Sequence, residues 1–372
     1  MEKISPHNAV SAGLLLKAAQ DVRWDLVSLG EVMLRFDPGE ERIAQTRNFR
    51  VWEGGGEYNV ARGLRRCFHM RTSVVTALAD NPVGRLLEDL MLQGGVDLSH
   101  LRWVSYDGIG REARNGVYFL ERGFGVRGAM GMMDRGHTPI SQLRPGQVDW
   151  AAIFGQEGVR WFHTGGVMSA LSAEAPAVVR EAMQAAKHHG VVVSFDCNYR
   201  ASLWKEQGGR QGSINVNRSL MPYVDVLFGH EGDIAKTMAA ASHGPPWHDV
   251  VSYREMAARV TEEFSNVKVI ATTTRRPKTA NVNDWAAFAW AQGEVYRSTD
   301  YLDLAIFDRV GGGDSFAAGL IYGLLNGKGM EWALNCGVAH GALAMTTAGD
   351  SSMASLAEVE KLMAGGGAGV SR

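Results

Sequence analysis

The stretch "FDRVGGGDSFAAGLIYGLL", residues 307–325, decides how the chain is read. Gly311, Gly312 and Gly313 run straight into Asp314, and a long apolar segment follows. Glycines let the backbone approach an anion with no Cβ in the way. Phe316, Leu320, Gly323 and Leu324 then fall on one face of a helix. Amides at the start of that helix point at the anion, and the helix dipole favours negative charge there. Asp314 at the same end can accept a proton from a substrate hydroxyl. Phosphoryl transfer needs this pairing, with donors for the moving phosphoryl group and a carboxylate for the attacking oxygen. Standing alone, the segment reads better as an aspartate cap on an ordinary glycine turn.

A second glycine-rich entry to a helix changes that balance. It is "GGGEYNVARG", residues 54–63, with Asn59 on the first helical turn. Its alternative is a tight turn with Asn59 solvated. Neither segment carries the dinucleotide fingerprint GxGxxG behind a strand with an acid downstream. No GxxxxGK[ST] loop is present either, since "GLLNGKGM" has the wrong spacing.

The rest of the chain sets the frame. Its 372 residues suffice for one large α/β domain or two modest ones. Hydrophobic residues make up 45% and charged residues 21%, as in ordinary globular proteins. The 45 glycines show no collagen-like period, so they indicate tight turns and close backbone approaches. A net charge of −2 speaks against a nucleic-acid partner, which calls for a basic face. No stretch approaches the roughly 20 apolar residues of a membrane span, and "AGLLLKAA" is too short for a signal peptide. Cys67, Cys197 and Cys336 are widely spaced with no CxxC pair. They suggest neither zinc nor disulfides and fit a reduced, cytoplasmic setting.

Short apolar strands alternate with helical segments along most of the chain. "TSVVTALA", "VRWFHTGG", "VVVSFDCNYR", "VDVLFGHE" and "VKVIATTT" are continuous apolar runs, the mark of buried parallel strands. "NPVGRLLEDLMLQGG" and "AEAPAVVREAMQAAKHHG" are helices stopped by glycine. The pattern implies an α/β fold, a mainly parallel sheet with helices on both faces. "DLVSLGEVMLRF" reads as one strand leading into a polar turn. Residues 1–23 form an N-terminal arm with a short helix across Ala12 to Gln20. Residues 24–362 form the main domain, and 363–372 a frayed tail. Residues 31–53 and 110–135 lack long helices and are rich in extended segments. They pair as a small second sheet or stand as two surface hairpins.

Taken together, these segments resemble the ribokinase (PfkB) family of sugar kinases. That family carries an N-terminal GG…N segment and a C-terminal [DN]xxGAGDxF segment. Here they stand as "GGGEYN" and "DRVGGGDSF". "FDCNYRASLW" resembles the DxNxRxxLW segment of the 2-keto-3-deoxygluconate kinases, and "GEVMLRFDP" and "TTAGD" suit that branch. The resemblance covers about residues 25–360. It implies a ribokinase-like three-layer sandwich, with the two irregular regions forming a β-sheet lid that closes over the sugar and makes a homodimer contact.

The resemblance also assigns roles. Asp314 matches the base, and Gly311, Gly312 and Gly313 the anion hole. Gly55 and Asn59 match contacts to sugar hydroxyls. Tyr118, Arg135 and Asp350 match substrate contacts; otherwise they are a core aromatic, a solvated charge and a turn residue. Arg200 matches a residue between sugar and phosphate, where a guanidinium pairs with a carboxylate or phosphate. Its alternative is a structural ion pair. The nucleotide falls to Asn198, Thr273, Thr274, Arg275, Asn335 and the glycines Gly311 and Gly313. Glu231 and Asp233 are the metal candidates. ATP and Mg2+ are the expected cofactors, joined by a monovalent cation such as K+.

Three departures stand out. "HEGD", residues 230–233, replaces the usual NxxE, so His230 stands for an asparagine and Asp233 for the glutamate. "ATTTRRPKTANVNDW" replaces a lysine- and glycine-rich nucleotide turn. Met133 stands where the branch has a tyrosine two positions before the arginine.

The leading expectation is an ATP-dependent kinase acting on the terminal hydroxyl of a sugar acid, with 2-keto-3-deoxygluconate first. Asp314 is expected ionised at neutral pH, with no raised pKa needed. A kinase of neutral sugars is the rival within the class. A binding or regulatory protein without catalysis is the rival outside it, although pure binding has no use for Asp314.

Overall fold

A computed structural model describes residues 9–230, 232, 234 and 249–366. The chain opens with a hairpin of β1 (Ala9–Ser11) and β2 (Leu14–Leu16). β3 (Trp24–Leu29) enters the core, β4 (Met33–Asp37) and β5 (Arg50–Gly54) leave it, and α1 (Gly56–Phe68) returns. Next come β6 (Thr72–Ala79), α2 (Pro82–Gln93), β7 (Leu101–Val104), β8 (Val117–Glu121) and β9 (Met130–Asp134). The middle of the chain runs β10 (Val159–Gly165), α3 (Gly166–Ser169), α4 (Ala175–His188) and β11 (Val192–Asp196). α5 (Ala201–Trp204), α6 (Gly209–Leu220) and β12 (Val226–His230) follow. Beyond them lie α7 (Val250–Glu263), β13 (Val269–Thr279), β14 (Val282–Ala291), β15 (Glu294–Arg297) and β16 (Tyr301–Ala305). α8 (Gly312–Leu325), α9 (Met330–Ala344) and α10 (Leu356–Met363) close the described chain.

The central sheet has the order β15-β14-β13-β12-β11-β10-β3-β6-β7, with β16 on β14. From β7 to β13 every pairing is parallel. β14 then pairs antiparallel with β13, β15 and β16. Successive residues of the inner strands enter opposite cores. Trp161 and Val192 face the side covered by α1, α2, α8, α9 and α10. Phe162 and Val193 face the side of α4, α6 and α7. Both faces are dry, so these strands read as unbroken apolar runs. The expected α/β architecture is the one observed.

Small residues explain the tight seam between α8 and α9. A Cβ on Gly319 would lie 2.8 Å from the Gly337 Cα, and one on Gly323 would lie 2.6 Å from the Ala333 Cα. These glycines serve helix contact rather than a turn, and α8 is buried nearly all round rather than on one face.

Two expectations change. The helix across Ala12 to Gln20 is absent. Ala12 and Gly13 have φ of 50° and 79° and form the turn of the β1–β2 hairpin. Such two-residue hairpin turns need positive φ at both positions. Leu14 and Leu16 are buried in the main core, so this arm is docked. "DLVSLGEVMLRF" is two strands, not one: β3 ends at Leu29, and β4 begins a different sheet at Met33.

That second sheet has four strands in the order β5-β4-β8-β9. β4 pairs parallel with β8, and the outer pairs are antiparallel. The two irregular regions thus form one sheet rather than two separate hairpins. Phe36 and Phe119 stack at 4.9 Å, and Phe49 packs edge-on against both, which fixes the register. Cys67, Cys197 and Cys336 are free and buried. No helix among the described residues is long and apolar enough to cross a membrane.

Candidate active site

A cavity of about 520 Å3 opens where the parallel strands end and the four-stranded sheet stands over them. This is the place where α/β sheets bind ligands. Asp314 sits on the first turn of α8 and lines the cavity. Its carboxylate accepts a 2.7 Å hydrogen bond from Asn59 Nδ2. Asn59 Oδ1 in turn accepts from Ser351 Oγ at 3.2 Å and the Gly55 amide at 3.4 Å. The two glycine-rich segments, 255 residues apart at this contact, therefore meet through a carboxylate and the amide that orients it. Asn59 is 3% exposed and is not a solvated turn residue.

Burial pushes the Asp314 carboxyl up to about 7. The Asn59 bond and Arg200 hold it down, while the charges of Asp196 and Asp350 add to the rise. The expectation of an ordinary, fully ionised aspartate is corrected: this carboxyl titrates near neutrality.

The three glycines divide their work. Gly311 adopts φ +77°, and a Cβ there would lie 1.7 Å from the Asp350 carbonyl oxygen. No other residue fits that turn without moving the chain. Gly313 has open space where a Cβ would stand and faces the cavity. Gly312 instead packs toward Met345 and does not line the cavity. Gly55 also lines it, with its Cβ position 1.9 Å from the Glu31 carbonyl oxygen.

These observations define a glycine cradle at a helix start, a buried carboxyl beside it and a sheet above. The description "pfkB family carbohydrate kinase" matches residues 24–356. The chain belongs to that family. It is 30% identical over 349 residues to the 2-dehydro-3-deoxygalactonokinase of Haloferax volcanii, spanning 94% of this chain and 99% of that protein. It is 26% identical over 344 residues to the 2-dehydro-3-deoxygluconokinase of Thermoproteus tenax, spanning 91% and 93%. The crystal structure of 2-dehydro-3-deoxygluconokinase from Thermotoga maritima superposes with a TM-score of 0.84 at 35% identity, covering 91% of this chain and 99% of that one. The enzyme is a carbohydrate kinase with the ribokinase-like fold, a large mostly parallel sheet and a separate smaller one.

Tyr118, Met133 and Arg135 line the cavity from the small sheet and the turn beyond it. Tyr118 donates to Asp350 Oδ2, so it is no idle core aromatic. Asp350 is buried and also accepts from Arg35 Nη1 at 2.7 Å, so it is more than a turn residue. Arg135 is not a solvated charge. Its Nε donates to Glu31 Oε2 at 2.8 Å, and Thr138 Oγ1 holds Oε1 of the same carboxylate at 2.7 Å. Arg200 lines the cavity from beyond β11, and its Nη1 donates to the Tyr199 carbonyl at 3.3 Å. Among the described residues it makes no ion pair, so the structural-pair alternative falls.

Thr273 and Arg275 line the cavity from β13, and Asn198 and His230 line it from the ends of the neighbouring strands. Thr274 does not. Side chains alternate along a strand, so Thr274 turns to the other face, where it is buried. Asn335 also lies outside the cavity. Its Oδ1 accepts from the Thr299 amide at 2.9 Å and its Nδ2 donates to Glu331 O at 3.0 Å, which ties α9 to the β15–β16 loop. Glu231 and Asp233 lie outside the described residues. Among the described residues no cluster of acids, histidines or cysteines could hold a metal.

Three cavity groups were not singled out from the sequence, nor was Arg35 behind the cavity. Glu31 and Glu57 are buried acids, Arg309 stands beside Arg275, and Arg35 is fully buried on β4 among three aspartates. Burial, then the neighbouring Arg309, pulls the Arg275 guanidinium below its ordinary value. Two like charges held together beside a glycine cradle fit the phosphates of ATP. Of these residues, only Arg309 carried a legible signal, its place inside "DRVGGGD".

Proposed function

We propose that this carbohydrate kinase transfers the γ-phosphoryl group of ATP to the terminal hydroxyl of a 2-dehydro-3-deoxy sugar acid. 2-Dehydro-3-deoxygluconate is the first substrate, and its 6-phosphate the product. Arg200 carries the reading: among the described residues it is a guanidinium without an acid partner, in the same cavity as the base. It can meet a carboxylate or phosphate in bidentate fashion. The names of the relatives support a sugar acid over a neutral sugar.

In this mechanism the acceptor hydroxyl attacks phosphorus in line as its proton passes to Asp314. The O–Pγ bond forms, the bond to the β-phosphate oxygen breaks, and ADP leaves. Asn59 aims the carboxylate. Amides of Gly311 and Gly313 at the start of α8 meet the charge that grows on the phosphoryl oxygens. Arg275, Arg309 and Thr273 hold the donor phosphates, with Asn198 at the junction. Arriving with ATP, Mg2+ supplies further charge neutralisation and needs few protein ligands. The lid excludes water, which would otherwise take the phosphoryl group.

The edge strand β9 supports a homodimer through the lid, since Met130, Met132 and Met133 are each about half exposed on it. The buried free thiols accord with a reducing, cytoplasmic setting.

ADP release with Mg-ATP, across 2-dehydro-3-deoxygluconate, 2-dehydro-3-deoxygalactonate, fructose and ribose, tests the reading. Turnover with the acids and little with the neutral sugars is expected. Preference for a neutral sugar would overturn it.

A further inference from the structure

Glu57 stands in the first turn of α1, two residues before Asn59, and has no place in the mechanism above. Its side chain is 4% exposed and lines the cavity. Two glycines make room for it. A Cβ on Gly30, just past β3, would lie 2.3 Å from Glu57 Oε2, and one on Gly165, at the end of β10, would lie 3.2 Å from Oε1. The carboxyl therefore sits at the strand ends, on the floor of the cavity.

The surroundings give it no cation of its own. Asp196 at the end of β11 and Asp314 on α8 face it with like charge. Arg135, beyond β9, is the positive group that reaches it, and its guanidinium is taken by Glu31. Among the described residues no side chain donates a hydrogen bond to Glu57 or pairs with it. A buried carboxyl in that position discards its charge by holding its proton. Burial is the largest influence and, with Asp314 and Asp196 adding, outweighs a hydrogen bond from the residue's own backbone amide and the pull of Arg135, pushing Glu57 up to about 8. An ionised Glu57 would also repel an anionic substrate from a cavity that already holds several acids.

We propose that Glu57 is a specificity residue that remains an uncharged carboxylic acid and donates its hydrogen bond to an oxygen of the bound sugar acid. The acid lets an acidic cavity admit an anion. It ties substrate binding to the presence of one proton, which is lost as the medium turns alkaline. A site built on a hydrogen bond rejects analogues that cannot complete it. The inference rests on the sugar-acid reading.

The test compares Glu57→Gln with wild type, using 2-dehydro-3-deoxygluconate and Mg-ATP from pH 6 to pH 10. An amide keeps a donor and cannot ionise. The variant should be several-fold weaker in kcat/KM at pH 7. Its ratio to wild type should then rise about tenfold per pH unit above pH 8, because only the wild type loses its donor. A ratio that stays flat or falls overturns the proposal. Should the variant not fold, calorimetry on the wild type in buffers of different ionisation enthalpy decides. Sugar-acid binding should take up close to one proton at pH 9, and no uptake there would overturn the proposal. Failure of the sugar-acid reading shows separately, as absent wild-type turnover with this substrate.

Discussion

Two groups of buried carboxylates, one around Arg35 and one in the cavity, are treated in opposite ways. Asp37, Asp308 and Asp350 surround Arg35, whose side chain is fully buried. The guanidinium reaches Asp350 at 2.7 Å, Asp308 at 2.5 Å and Asp37 at 3.2 Å, and Arg122 adds a second cation at Asp37. Burial pulls Arg35 down, but Asp350 and Asp308 outweigh it and hold it charged. Among the described residues Glu57 and Asp314 form no ion pair, and burial lifts both; burial raises Asp350 too, but there Arg35 pulls against it from hydrogen-bond distance. The first group joins lid strand β4 to the loops on either side of the glycine cradle. The second faces the substrate. The compensated acids keep the site's shape, and the uncompensated ones retain the freedom to exchange protons.

The largest separation between the two groups should appear in turnover. Asp314→Ala should lower kcat by roughly 10²–10⁴, as expected for a lost base, while ATP still binds by calorimetry. A loss under tenfold would break the contrast. Arg35→Ala should act on stability. Stripping the cation from three buried carboxylates costs about 3–5 kcal/mol, read by urea unfolding. A cost under ~1 kcal/mol would mean that the cluster holds nothing. The smallest effect is a pH limb. With the base titrating near 7, wild-type kcat/KM should fall about tenfold per pH unit below that value. A profile flat down to pH 5 would return Asp314 to an ordinary aspartate.

Much of this was legible in the chain because it is local. The glycine turn, Asp314 and Asn59 stand in short segments whose backbone demands are written in glycine. The parallel strands show as apolar runs because both sheet faces are dry. What escaped depends on distant partners. Arg35 meets Asp308 and Asp350 across 273 and 315 residues, and nothing in "MLRFD" reveals them. Arg135 reads as a free cation until Glu31, 104 residues earlier, appears beside it. Thr274 was lost to a question of strand face, because three threonines in a row give no sign of which points inward. The arm was misread because "AGLLLKAA" has helix-forming residues, while Gly13 sets a hairpin turn.

Asp314 is kept short of compensation for chemistry, and the fold bears the cost. Asp314→Asn, assayed for activity and for urea stability in parallel, tests it most directly. The native carboxyl titrates near 7 and an unfolded one near 4, so the native state binds more protons between those values. Stability is therefore lost as pH rises through that window. The asparagine removes the loss. The variant should be nearly inactive, yet more stable than wild type by at least ~1 kcal/mol at pH 8, with the gain gone by pH 4. Retained turnover, or a variant less stable than wild type at pH 8, would contradict the account.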